Sequence, residues 1–225
     1  MKKYAAECIG TFCLVFAGTG AIVINDLSGG AITHAGIAIT FGLIVLAMIY
    51  TVGDVSGAHL NPAVTIGFFA ARRFPANEVL PYLLSQSLGA IAASGLLHFL
   101  FPSHATLGST LPSGAIAQSF VMEVVLTWLL MLVVLSVSTG AKEKGITAGI
   151  AVGSVIALEA MFAGPVSGAS MNPARSLAPA LSSGHFQSLW IYLTAPVVGA
   201  LLAVPSCICI REEGCCNAAT ACNKT

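Results

Sequence analysis

Long apolar runs broken by short polar or Gly/Pro-containing segments make up nearly the whole chain. A helix needs about 20 mostly apolar residues to cross a bilayer's hydrocarbon core. Six stretches qualify, roughly 4–25, 33–52, 79–101, 115–138, 146–164 and 187–210. The segments between them include Asn25 to Gly30, Arg72-Arg73-Phe74-Pro75, residues 102–114, and Gly140 to Gly145. Two more stretches, about 61–70 and 172–181, are apolar but too short to cross. The pattern predicts an all-α membrane protein with six transmembrane helices and two re-entrant half-helices.

Composition agrees with a lipid-facing surface. The 225 residues are 56% hydrophobic and 8% charged, with a mean hydropathy of +0.91. Soluble domains run near 25% charged. A net charge of zero leaves no basic patch to neutralise phosphates, so a nucleic-acid partner is not expected. The first span begins Met1-Lys2-Lys3 and superficially suits a secretory signal. Its length, Glu7 within the apolar run and five later spans argue against that.

The cations also orient the chain. Lys2 and Lys3 precede span one, Arg72 and Arg73 lie between spans two and three, Lys142 and Lys144 between spans four and five, and Arg211 and Lys224 after span six. With six spans all eight share one side, which the positive-inside rule makes cytoplasmic. The opposite loops hold a single cation, Arg175. Both termini are expected in the cytoplasm, and the protein in the cell (inner) membrane.

The two halves repeat. Ser56-Gly57-Ala58-His59-Leu60-Asn61-Pro62-Ala63-Val64 matches Ser167-Gly168-Ala169-Ser170-Met171-Asn172-Pro173-Ala174-Arg175 at six of nine positions. Glu7 and Thr11 in span one recur as Glu123 and Thr127 in span four. Three spans per half is an odd number, so the second copy enters the membrane upside down. Inverted repeats place their functional centre near the midplane. The repeats run about 1–101 and 113–210 within one transmembrane domain over 1–210, followed by a Cys-containing tail over 211–225.

Asn-Pro suits the start of a half-helix, since Asn is a strong N-cap and Pro lacks an N–H that would go unpaired there. Non-helical backbone at membrane depth is tolerated only inside protein or along a watery cavity. The Ser-Gly-Ala segments should therefore line a pore, with their carbonyls as acceptors. Each half-helix points about half a positive charge at the centre, which repels cations and hydronium. Asn61 and Asn172 can offer NH₂ donors to a passing neutral solute.

Ser56 to Thr65 and Ser167 to Ser176 resemble the paired signatures of the aquaporin and aquaglyceroporin (major intrinsic protein) family, and the resemblance covers about residues 1–210. Ala163 to Ser176 is most similar to the nodulin-26-like branch and its bacterial relatives. The resemblance implies the aquaporin fold, a homotetramer, and pore-central motifs at Asn61, Pro62, Ala63, Asn172, Pro173 and Ala174. It also implies an outer constriction at Phe41, Ala160, Ala169 and Arg175. Water-selective members usually carry a His where Ala160 stands, so this constriction should be wider and more apolar. Polyol-selective members typically bring two aromatics, and only Phe41 can be placed. Arg175 puts a fixed cation with several donors in the pore.

Other polar residues have competing readings. Intramembrane carboxylates are functional by default, and Glu7, Glu123 or Glu159 could couple a transporter to protons. The family resemblance and the symmetric placement of Glu7 and Glu123 favour bracing of the re-entrant loops instead. Glu159 could support the constriction or reach the outer interface. His59 is placed at the cytoplasmic mouth. Asp54, where the family more often has His, leaves the polarity of that mouth open. His34, His98, His104 and His185 are expected at interfaces. Small residues four apart, Gly145/Gly149/Gly153, Ser85/Gly89/Ala93 and Ala195/Gly199/Ala203, read as helix-packing positions.

Cys207, Cys209, Cys215, Cys216 and Cys222 crowd the C-terminal end. Cytosolic thiols stay reduced and could capture a soft metal or metalloid. Their spacing matches no metal motif, so inert thiols are the preferred reading. No nucleophile-elbow or zinc-ligand pattern occurs, so neither an enzyme nor a cofactor is expected. The combined reading is a passive channel for water and small uncharged solutes, such as glycerol-like polyols and arsenous or silicic acid. The alternatives are a glycerol facilitator and a proton-coupled secondary transporter.

Overall fold

The structure is a computed structural model that describes residues 1–138 and 142–210, with the side chains of 142–146 excepted. Among these residues eight helices follow in order: α1 Lys2–Leu27, α2 Thr33–Ser56, α3 Pro62–Ala70, α4 Ala76–Leu100, α5 Ile116–Val137, α6 Lys142–Ser167, α7 Pro173–Ser183 and α8 Leu189–Ile210. Six are long and apolar enough to cross a membrane, while α3 and α7 span only 9 and 11 residues. The proposed tail, 211–225, lies outside the described residues.

Several helices run past the apolar stretches that announced them. Hydropathy marks only the lipid-facing length, whereas a helix continues until its carbonyls find another partner. For α2 that stop is Gly57, left-handed at φ +83°, whose N–H donates to Gly53 O. Gly168 ends α6 in the same way, at φ +85° with its N–H on Gly164 O. Glycine adopts this conformation without a Cβ penalty. Each chain then re-enters through a short loop, and Asn61 or Asn172 starts the half-helix.

The packing survives exchange of the two halves. Helix α1 packs on α2 and α4, as α5 packs on α6 and α8. The half-helices cross over: α3 packs on α8, and α7 on α4. On the exchange axis α2 meets α6 and α3 meets α7.

Glycine makes these approaches possible. A Cβ at Gly42 would stand 2.5 Å from Gly153 O, and one at Gly153 would stand 2.6 Å from Gly42 O. A Cβ at Gly89 would overlap Cys8 O, and one at Gly199 would overlap Val124 O. Three of the small-residue positions noted in the sequence thus sit at backbone-to-backbone crossings. Lys3 and Tyr4 of α1 both bind Glu78 of α4 at 2.8 Å and close one end of that pair.

Gly42→Ala should destabilise the fold by about 1–3 kcal/mol, because the methyl meets a carbonyl and Ala157 rather than a flexible side-chain tip. Gly95→Ala has nothing within 4 Å and should leave stability unchanged or raised. Thermal unfolding in detergent compares the two variants directly.

Candidate pore

Each re-entrant loop is clamped by a carboxylate from the first helix of its own half. Glu7 is fully buried and accepts from Ser56 Oγ at 2.7 Å, His59 N at 2.9 Å and Leu60 N at 2.7 Å. Glu123 is likewise fully buried and accepts from Ser167 Oγ at 2.7 Å, Ser170 N at 2.9 Å and Met171 N at 2.8 Å. Loop backbone in a membrane has no water to bind, and each unmet N–H there costs free energy. A carboxylate can take two adjacent N–H groups at once, so one Glu per loop answers the need.

That clamp holds an unfavourable backbone. Ala58, Leu60, Ala169 and Met171 lie at φ +46°, +52°, +42° and +53°, a region most side chains avoid. Two tyrosines complete the loops from behind. Tyr82 OH donates to Ser56 O at 2.9 Å, and Tyr192 OH donates to Ser167 O at 2.7 Å. Gln86 adds a bond to Glu7 and one to Thr65. None of these three was visible in the sequence, although Tyr82 and Tyr192 stand 110 residues apart in matching helices, a repeat signal that could have found them.

The two Asn residues interlock. Asn61 Oδ1 accepts from Ala63 N at 2.8 Å, and its Nδ2 donates to Met171 O at 2.8 Å. Asn172 Oδ1 accepts from Ala174 N at 3.0 Å and Arg175 N at 3.3 Å, and its Nδ2 donates to Leu60 O at 2.9 Å. Each half's cap therefore fastens the other half's loop. An NH₂ has two hydrogens, so one remains on each Asn. Both residues line a cavity of about 110 Å³, where a single water needs about 10–15 Å³.

One side of this cavity is polar, formed by residues 57–61 and 169–172 of the two loops. The other is apolar, with Val45, Ile49, Leu130, Val134, Val152 and Ile156 from the long helices. Phe41, Ala160, Ala169 and Arg175 also line it. Arg175, 2% exposed, has its Cζ 5.2 Å from the Phe41 ring centroid, within reach of a cation–π contact. Its Nη1 donates to Gly108 O at 2.8 Å. Gly18 of α1 admits the Phe41 ring, which a Cβ there would overlap. His59 lines the cavity too, hydrogen-bonded to Thr65 Oγ1 at 3.1 Å and stacked on Phe68 at 4.6 Å.

Residues 1–205 match the major intrinsic protein family. The chain belongs to that family. Among its relatives, the maize (Zea mays) protein named Aquaporin NIP1-1 is 50% identical over 202 residues, which cover 89% of this chain and 72% of that one. Soybean (Glycine max) Nodulin-26 is 48% identical, with coverage of 89% and 74%. The X-ray structure of the aquaglyceroporin from Plasmodium falciparum superposes with a TM-score of 0.82 at 26% identity, covering 91% of this chain and 93% of that one.

One open reading of this major intrinsic protein is resolved by its packing. Glu159 is fully buried and both of its carboxylate oxygens lack a hydrogen-bond partner, so it does not reach an outer interface. Cys207 is buried at the end of α8. Cys209 is free and exposed, while Cys215, Cys216 and Cys222 lie outside the described residues. Among the described residues no group of three His, Cys, Asp or Glu could hold a metal ion.

Glu123 and Glu159 make a contrasting pair for mutation. Glu123→Gln puts an NH₂ where loop N–H groups now point and should cost about 1–3 kcal/mol per unmet donor. Glu159→Gln removes no observed hydrogen bond and should cost under about 1 kcal/mol. Thermal midpoints in detergent, read beside water flux, separate the two.

Proposed function

We propose that this protein is a passive channel for water and small uncharged hydroxylated solutes, with residues 1–210 acting as one unit. The observation that carries the reading is the cavity itself. Two interlocked Asn donors and the loop residues form one polar flank, Phe41 and Arg175 sit against one another, and the small side chains of Ala160 and Ala169 line the same cavity. A neutral molecule bearing hydroxyls can exchange its water contacts for those donors. A cation meets Arg175 and two helix N-termini instead. Glycerol-like polyols and metalloid hydroxides such as arsenous and silicic acid have the matching chemistry. The family relationship and the names of the relatives point the same way.

The proton-coupled alternative has less support. Glu7 and Glu123 each accept three hydrogen bonds from their loops, which leaves them poorly placed to exchange protons with a substrate. Outward-facing Leu80, Leu84 and Leu88 on α4, each more than half exposed, suit lipid or further copies of the chain in a homotetramer. The one-sided Lys and Arg distribution supports cytoplasmic termini.

A solute panel in proteoliposomes tests the channel. Water, glycerol, urea, arsenite and silicic acid should equilibrate without accumulation, unaffected by a proton uncoupler. Uphill uptake driven by a pH gradient would overturn the channel reading. Ala160→His should lower glycerol flux roughly 5- to 30-fold more than water flux, because a clash of about 1–2 kcal/mol falls on the bulkier solute. Equal losses for both would remove Ala160 from the constriction.

Topology has its own test. A reporter fused after Thr225 should read cytoplasmic, and one inserted beside Ser109 should read external. The reverse result would invert the proposed orientation.

A further inference from the structure

The loop between α4 and α5 does more than connect them. Gly108 O receives Arg175 Nη1 at 2.8 Å, and Thr110 Oγ1 donates to Ser176 Oγ at 2.8 Å. Gly108 is left-handed at φ +76° and lies against Thr19 of α1, where a Cβ would come within 2.9 Å of that side chain. Leu107 before it is buried and also left-handed, at φ +50°. The position of the carbonyl that holds Arg175 therefore depends on Leu107, which stands in a region most side chains avoid, and on the left-handed glycine after it.

His104 secures that conformation. Its Nδ1 accepts from Leu107 N at 3.0 Å, and its Nε2 lies 3.3 Å from Asp26 Oδ2 at the end of α1. The side chain is only 8% exposed. These two bonds define the neutral tautomer, with hydrogen on Nε2 and a lone pair on Nδ1. A second proton can go only to Nδ1. It would leave the Asp26 contact intact and set N–H against N–H at Leu107.

We propose that His104 is a positioning residue for the outer constriction, holding Arg175 to the cavity wall through Leu107 and Gly108 and releasing it when the imidazole is protonated. The inference rests on the constriction reading above. In the released state Gly108 O withdraws, and the guanidinium turns its donors toward the lumen, narrowing it. Bulkier solutes then lose more than water. The charged groups brought to this loop are Asp26 from α1 and Arg175 from α7. A further titratable group, His185, is hydrogen-bonded to Ser183 O, and Ser183 Oγ meets Ser109 at 3.2 Å.

The test measures the ratio of glycerol to water permeability in proteoliposomes at equal inner and outer pH, near 8 and near 5. The wild-type ratio should fall about fivefold at the lower pH, the scale of one lost hydrogen bond. His104→Asn keeps an acceptor for Leu107 N but cannot be protonated, so it should hold the high ratio at both values. His104→Ala should show the low ratio at both. A flat wild-type profile overturns the proposal, as does a His104→Asn profile that still follows the wild type and so points to His185. Arg175→Ala separates the two layers of the argument. If it leaves the ratio unchanged, the constriction reading fails. If it changes the ratio while the His104 variants do not, only the relay through Leu107 and Gly108 fails.

Discussion

In the middle of a bilayer a backbone N–H or C=O has no water to bind, and this protein breaks its helices there twice. Everything around the centre answers that constraint. Glu7 and Glu123 take the N–H groups of the loops, and Tyr82 and Tyr192 donate to carbonyls from behind. Asn61 and Asn172 cap the half-helices and fasten the opposite loops. Because each half's loop needs the other half's Asn, the inverted repeats are structurally interdependent at the same point where the cavity passes between them.

The clamp also explains how polar groups line a cavity inside an apolar bundle. Residues held at positive φ turn successive peptide groups in different directions, and a carboxylate behind them satisfies the donors on its side. The polar flank therefore costs the protein two buried carboxylates rather than a wet core. The long helices meanwhile supply apolar residues such as Val45, Leu130 and Val152, which offer a solute no hydrogen bond. A solute that binds one flank and slides on the other can move, whereas two polar flanks would hold it.

The two halves are not equivalent, and function follows the difference. Val64 in α3 corresponds to Arg175 in α7. Glu7 has Gln86 as an additional donor, and the corresponding position of α8 is Pro196. Arg175 is held from outside the repeat, by Gly108 in the loop that joins the halves. Symmetry thus builds the centre of the cavity, and the connection between the repeats, which has no counterpart, holds the residue that makes one end unlike the other.

The chain alone determined the six spans, the two half-helices and the inverted repeat, because lipid imposes a length and a polarity that local pattern reveals. It also exposed the Asn caps, whose role depends on neighbours two and three residues away, and Glu7 and Glu123, which recur with the repeat. Only the tertiary structure showed that Gly18 admits Phe41, that Gly42 and Gly153 meet on the axis, and that Gly108 and His104 stand between α1 and Arg175. It also decided Glu159, which sequence left between two environments and packing buries without a partner. Such contacts join residues tens to more than a hundred positions apart. A hydrogen bond or a missing Cβ acts over a few ångströms in space, and hydropathy along the chain carries no record of which distant residue will arrive there.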